Sequence, residues 1–343
     1  MRYNRLKANG SATYHVMSKS HESRRFFSDV EKSYMSNLMR RLSVFSGCDI
    51  STYAFMDNHF HILLRIPERV DISDDEVKRR AKVLYTKKKF KVFEEQWRLW
   101  EKQKRQDLIK IDLDKFRVRM YDLSEFMKTF KQRLSIYYNA NNDRRGQGCL
   151  WQDRFKSVLL EESESTLLKV AAYIDLNPVR AGIVKDPKDY RWSGYAEAVA
   201  RGGSATDRLS KVFLNSDLTR MEVLAKYREN LYIEGEIRHN HLTGEVFKPG
   251  FNQEMVEKVL DEGGKLSVPE LLYCRVRYFS DGMVIGRKVF VEQIFNQYTG
   301  CFSKQRRKRR ITQMKNGDWG GLCAAKELRR QIVFVPREVE PTV

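Results

Sequence analysis

Two strand-like runs, Ile50 to Met56 and His59 to Ile66, are separated only by Asp57-Asn58, and this pairing constrains the fold more than any other feature of the chain. Two turn-forming residues between such runs predict a β-hairpin, because the tight turn sends the second strand back along the first. Successive side chains of a strand face opposite sides. Phe60, Ile62 and Leu64 therefore share one side, which the core must cover. His59 and His61 stand together on the other, with Cα atoms about 7 Å apart.

The segments around the hairpin extend the pattern. Ala12 to Ser18 (ATYHVMS) alternates weakly and reads as a short strand. Ser28 or Asp29 can cap a helix whose apolar positions Tyr34, Leu38, Leu42 and Phe45 recur at helical spacing. Asp122 with Glu125 offers a capping box for a helix carrying Leu123, Phe126, Phe130 and Leu134 on one side. Beyond the polar loop from Asn139 to Gly148, Phe155 to Glu162 reads as a strand, and Ser163 can cap a helix reaching about Leu176. The order β-α-β-β-α-β with a closing helix predicts an α+β protein: a ferredoxin-like antiparallel sheet with helices on one face, followed by a helical C-terminal region.

The domain boundaries follow from composition. Residues 1–200 form the first domain, with a charged insertion at 74–119 that reads as one or two exposed amphipathic helices. That insertion is either a solvated face or a surface for nucleic acid. Residues 201–250, with RGGSATD and little periodicity, read as a linker, and His239-Asn240-His241 within it as a loop with no apolar strand behind it. Residues 251–330 read as three helical stretches broken by glycine-containing turns, either a helix-turn-helix unit or a plain helical appendage, and 331–343 as a tail.

The chain has 64 Lys and Arg against 45 Asp and Glu, a net charge of +19. Such an excess favours a polyanionic partner and salt-sensitive association. Seven basic residues and no acid lie between Lys304 and Lys315, among them Arg306, Arg307, Arg309 and Arg310, which suit phosphate contacts. The five cysteines are scattered without a C-x-x-C pair, which argues against a disulfide framework or a structural zinc and fits a reducing compartment. No apolar run approaches the roughly 20 residues of a membrane span, and MRYNRLKANG has no signal-peptide core, so a cytoplasmic location without membrane association is expected.

Two strand histidines can converge on one ion while leaving the open positions that a catalytic metal requires. In Leu167 to Pro178, apolar positions 167, 170, 171 and 174 form a core-facing stripe, and Lys169, Tyr173 and Asn177 fall at i, i+4 and i+8 on a neighbouring face. Pro178 ends the helix near Asn177. A phenol and an amide oxygen one turn apart could then face the histidines across the sheet. Tyrosine attack on a phosphodiester conserves the bond energy in a phosphotyrosyl link, so rejoining needs no ATP. A free phenol, with a pKa near 10, is a poor nucleophile at neutral pH. A metal on a non-bridging phosphate oxygen would help by neutralising charge. Two imidazoles and an amide oxygen suit a divalent ion: imidazole leans toward Mn²⁺, cellular availability toward Mg²⁺.

MDNHFHILLR, FMKTFKQR, GCLWQDRFKSVLLEE and YIDLNPVRAGIV, in this order over roughly residues 10 to 200, together resemble the REP-associated tyrosine transposases. These are relatives of the single-tyrosine HUH transposases of the smallest insertion sequences. LLYCRVRYFSDGMVIGRKVFVEQIF resembles the C-terminal tails of many members. The resemblance implies that His59 and His61 are metal ligands, Asn177 the third ligand and Tyr173 the nucleophile. It implies cleavage and rejoining of single-stranded DNA near a hairpin, with a 5′-phosphotyrosine and a free 3′-OH, in the bacterial cytosol or nucleoid. Trp151, Arg154, Lys156 and Lys169 are then DNA-contact candidates. One departure is Ser18-Lys19-Ser20 where many members carry Ser-Arg-Gly, which removes a bidentate arginine. Tyr137 and Tyr138 are rival nucleophiles. A non-cleaving hairpin-binding protein and a metal hydrolase using activated water are the competing functions. A monomer and a homodimer that exchanges helices, with Tyr173 opposite the other subunit's histidines, are both compatible with the pattern.

Overall fold

The hairpin pairs β2 (Asp49–Phe55) with β3 (His59–Ile66), antiparallel, with Asp57 and Asn58 in the turn. These elements come from a computed structural model that describes residues 6–21, 27–142, 149–214, 217–232, 278–299, 311–315 and 319–325, with short pieces at 238–239, 246–248, 272, 275–276 and 332–333. On the open edge of β3 lies β1 (Ala12–Lys19), antiparallel, in a register that sets Met17 opposite His61 and Lys19 opposite His59. The far edge of β1 pairs antiparallel with β4 (Lys156–Leu160). The order β2-β3-β1-β4 is that of the expected ferredoxin-like sheet, and the fold is α+β.

The apolar face of the hairpin is covered by α1 (Asp29–Ser46) and, after the insertion, by α5 (Leu123–Asn141). Ser28 and Glu31 form a reciprocal capping box at the start of α1, and Asp122 accepts from the Glu125 amide at the start of α5. Gly47 ends α1 with φ 68, and a Cβ there would stand 2.6 Å from the Tyr121 ring, so neither backbone nor space admits another residue. Tyr14, Val16, Tyr53, Phe55, Phe60, Ile62 and Leu64 from the sheet meet Met35, Leu38, Met39, Leu42, Phe126 and Phe130 in one continuous core. The insertion is three helices rather than one or two: α2 (Asp74–Leu84), α3 (Lys87–Lys102) and α4 (Gln106–Arg117). Ser73 and Thr86 cap the first two, and Val77, Phe90, Trp97 and Leu113 join the same core, leaving the lysines outside.

The second face of the sheet is covered as well. The closing helix α6 (Glu164–Asp175) packs there and is followed by a single turn, α7 (Asn177–Arg180), with Pro178 at its start, so the break expected at Asn177 is present. Beside it lie α8 (Gly194–Arg201), α9 (Gly203–Leu209) and α10 (Arg220–Tyr232). Residues 203–209 and 220–232 are therefore packed helix and not linker: Leu209, Val223, Tyr227 and Leu231 are buried in the core that α6 forms. The expected helical C-terminal region also differs. It contains α11 (Tyr278–Asp281) and α12 (Lys288–Gln297), but β5 (Val284–Arg287), β6 (Thr312–Gln313) and β7 (Leu322–Ala324) extend the sheet to seven strands in the order β2-β3-β1-β4-β5-β7-β6. β5 joins β4 in parallel, and Val284 and Ile285 are buried, one in each core. The basic run with Arg306, Arg307, Arg309 and Arg310, most of the three expected helical stretches, His241 and the 331–343 tail largely lie outside the described residues. Among the described residues no helix is long and apolar enough to cross a membrane.

Candidate active site

β3 alternates strictly, and its second set of side chains delivers His61 and Leu63 to the face under α6. β1 contributes His15 and Met17 to the same face. His15 stands opposite Leu63 and so lies diagonal to His61, within reach of a ring. His15 Nε2 is 2.8 Å from His61 Nδ1, and the two rings stack with centroids 5.0 Å apart. His15 Nδ1 lies 2.8 Å from the Phe279 carbonyl oxygen on α11. Burial pushes the His15 pKa down from 6.5 to about 4, the Phe279 carbonyl acting against this and the Arg180 charge adding to it. His15 is thus a neutral imidazole held in the interior. His59, at the mouth of the strand, places Nδ1 2.6 Å from Asn58 Oδ1.

From the helix side, Tyr173 is almost fully buried, and its ring stands edge-on to His61 at 6.2 Å and to His15 at 6.0 Å between centroids. Phe279 packs on it at 5.0 Å, and the Arg180 guanidinium lies over the ring at 4.1 Å. Arg180 also donates to the carbonyls of Tyr173 (2.5 Å) and Leu272 (2.6 Å), tying α7 back to the end of α6. Asn177 gives its amide nitrogen to the Tyr173 and Ile174 carbonyls, at 3.2 and 3.1 Å. That bond caps the helix end and commits the nitrogen, leaving the amide oxygen as the donor atom that the residue can offer an ion.

The end of α6 is pinned from beneath by Asp175, which is fully buried and bonded by Thr52, the Tyr195 amide and Tyr227. Burial raises its pKa from 3.8 to about 6, against the pull of these donors. α8 approaches so closely here that a Cβ on Gly194 would fall 2.2 Å from Thr52 Oγ1. Only glycine fits that contact.

These groups meet in one cleft of about 490 Å³, lined by His59, His61, Tyr173, Asn177, Arg180, Lys19, Arg154 and Lys156 among others. The acids Asp153 and Asp281 also line it, and Lys156 pairs with Asp281 of α11 at 3.2 Å. Ser18, on the same wall, has a buried hydroxyl that is the single buried side-chain polar atom without a partner among the described residues. The walls therefore favour a polyanion, and the depth of the cleft brings it to the histidines and the phenol. Two imidazoles and an amide oxygen fit a divalent ion that keeps open positions. No group of three or more His, Cys, Asp or Glu that could hold a metal occurs among the described residues, so such an ion would take its remaining ligands from water or from the bound anion.

The remaining sequence candidates lie elsewhere. Trp151 is buried against Phe27 and Phe60, its indole N–H bonded to Ser135, and does not line the cleft. Lys169 reaches Ser165 and the Trp319 carbonyl on the outer side of α6. Tyr137 and Tyr138 also carry an asparagine four residues on, Asn141 and Asn142, so spacing alone does not choose between the tyrosines. Tyr137 stacks on Tyr34 at 3.8 Å and Tyr138 packs against Phe27, both away from the cleft that Tyr173 lines. His15, Arg180 and Asp281 went unrecognised in the sequence. The only available signal for His15 was its parity with Met17 in ATYHVMS, which carries no information about its neighbour across the sheet.

Residues 9–104 match the model of a family described as IS200-like transposases. A search of curated proteins finds no match. Among solved structures, a REP-associated tyrosine transposase bound to a REP hairpin is similar at 17% identity with a TM-score of 0.35, over 64% of this chain and 93% of that one.

Proposed function

With residues 9–104 matching the IS200-like transposases as the premise, we propose that the chain is a single-tyrosine transposase of the HUH type that cuts and rejoins hairpin-bearing single-stranded DNA. The observation that carries the reading is the meeting of a helix tyrosine and a strand histidine in one basic cleft, with Tyr173 and His61 ring centroids 6.2 Å apart. The family match ends before Tyr173, so the tyrosine's place beside the histidines is an independent argument.

Tyr173 Oη attacks phosphorus, the P–O3′ bond breaks, and the DNA is left with a 5′-phosphotyrosyl link and a free 3′-OH; the phenol proton passes through water to the departing O3′. His59, His61 and Asn177 would hold Mg²⁺ or Mn²⁺, which when bound neutralises phosphate charge and polarises phosphorus. Arg180 and Phe279 restrict the Tyr173 ring to one orientation, so little freedom is lost as it meets the phosphate. Lys19, Arg154 and Lys156 bind the backbone of the strand. Tyr173 faces the histidines of its own chain, so a monomer in the bacterial cytosol carries the full set without helix exchange.

The test is a denaturing gel after incubation of labelled single-stranded hairpin DNA with Mg²⁺ or Mn²⁺. A covalent protein–DNA band is expected from the wild type and none from Tyr173→Phe. An equal band from the variant would sink the nucleophile assignment, and binding without cleavage by the wild type would favour a hairpin-binding role.

A further inference from the structure

The two histidines of β3 are oriented by different devices. His59 uses its neighbour: Asn58 Oδ1 can only accept, so His59 Nδ1 carries the proton and Nε2 the lone pair. His61 has no such neighbour in sequence. Its Nδ1 meets another imidazole, and an imidazole can be donor or acceptor at either nitrogen.

The ambiguity is resolved one residue further on. The Phe279 carbonyl can only accept, so His15 Nδ1 must carry a proton. A neutral imidazole carries one proton, so in this completely buried ring, with Nδ1 donating to the carbonyl, Nε2 is the acceptor. The proton between the rings then belongs to His61 Nδ1, and His61 Nε2 carries the lone pair. His15 itself does not line the cleft, and both its nitrogens are committed, so it is not a ligand in waiting.

We propose that His15 is a positioning residue: it fixes the tautomer and the ring orientation of His61, and through the Phe279 carbonyl it makes the C-terminal segment part of the metal site. This rests on the reading of His59 and His61 as metal ligands. Metal-binding histidines commonly donate their second N–H to a carbonyl or carboxylate, and loss of that partner typically costs about 10–100-fold in affinity. Here the carbonyl acts at one remove, with a second histidine between. A leucine at position 15 would remove the acceptor that faces His61 Nδ1 in this buried position. A glutamine can place its amide oxygen near the position of His15 Nε2 and restore it.

The experiment is a Mn²⁺ titration of the full chain, free ion read by electron paramagnetic resonance, in the wild type, His15→Leu and His15→Gln. Hairpin-DNA binding in EDTA serves as a control for folding. His15→Leu is expected to weaken Mn²⁺ binding about 10–100-fold while keeping DNA binding, and His15→Gln to recover most of the loss. Equal Mn²⁺ affinity in wild type and His15→Leu would overturn the positioning role alone. Loss in His15→Gln as deep as in His15→Leu would make His15 a ligand and overturn it too. A wild type that binds no Mn²⁺ would overturn the metal reading itself. Long-range ¹H–¹⁵N spectra of the metal-free wild type, with only six histidines to resolve, read the tautomers without any substitution. Nδ1–H forms of His15 and His61 are expected; an Nε2–H form of His61 refutes the relay.

Discussion

The two faces of β3 solve opposite problems with the same strand. Phe60, Ile62 and Leu64 enter a core with no polar work to do, closed by α1 and α5. One residue out of phase, His61 and Leu63 enter a core of similar burial in which a histidine pair, an arginine, an aspartate and a tyrosine are embedded. The first face stabilises by filling space. The second must balance each buried polar group against a partner, and it is there that the fold can do chemistry. The difference teaches that a short H-x-H motif presupposes a strand whose other side already holds the domain together.

The sharpest way to break the comparison is to damage the dry face. Phe60 is fully buried and packs edge-on against Phe130 and Trp151. Phe60→Ala is expected to cost about 3–5 kcal/mol in chemical denaturation, and to lower Mn²⁺ and DNA binding only in proportion to the fraction unfolded.

A substitution on the polar face should show a different signature, one that depends on pH. Asp175 has a folded-state pKa raised from 3.8 to about 6. Protonated in both states below pH 4, it contributes fully there; as pH rises through 6 the folded state must bury a charge, and that contribution is lost. Asp175→Asn removes the titration. Whatever constant offset the amide brings, the variant should gain on the wild type as pH rises from about 4 to 7, by up to about 3 kcal/mol. Parallel pH profiles for the two proteins would remove this buried carboxyl from the account.

The smallest expected effect lies at the rim. The Lys156 side chain is 64% exposed in its pair with Asp281. Lys156→Ala should change stability by less than about 1 kcal/mol, yet reduce the salt slope of hairpin binding by about 1. An unchanged slope would take Lys156 out of the DNA path.

How far the sequence could be read followed the range of the interaction. The hairpin, the caps at Ser28 and Asp122 and the helix break at Pro178 are local rules, and all are present. Val223, Tyr227 and Leu231 recur at helical spacing, but the charged residues between them made α10 read as linker. β5, β6 and β7 have four, two and three residues, too few to show a period, so helical propensity around them dominated the reading. At the site, H-x-H was visible because a strand brings its own residues together. The contact of His15 with His61 depends on sheet register, and the nearness of Tyr173, rather than Tyr137 or Tyr138, to the histidines depends on which helix covers them. Neither is written in any local window.

The bond from His15 to the Phe279 carbonyl joins residues 264 positions apart. A chain still being synthesised and lacking the segment beyond residue 279 cannot make it, and closures of that length are late events that slow folding. At about 5–20 residues per second on the ribosome, the nascent protein spends many seconds with its tyrosine and both strand histidines already made but their alignment incomplete. The span of one hydrogen bond thus leaves the alignment of the candidate site incomplete until residue 279 has been made.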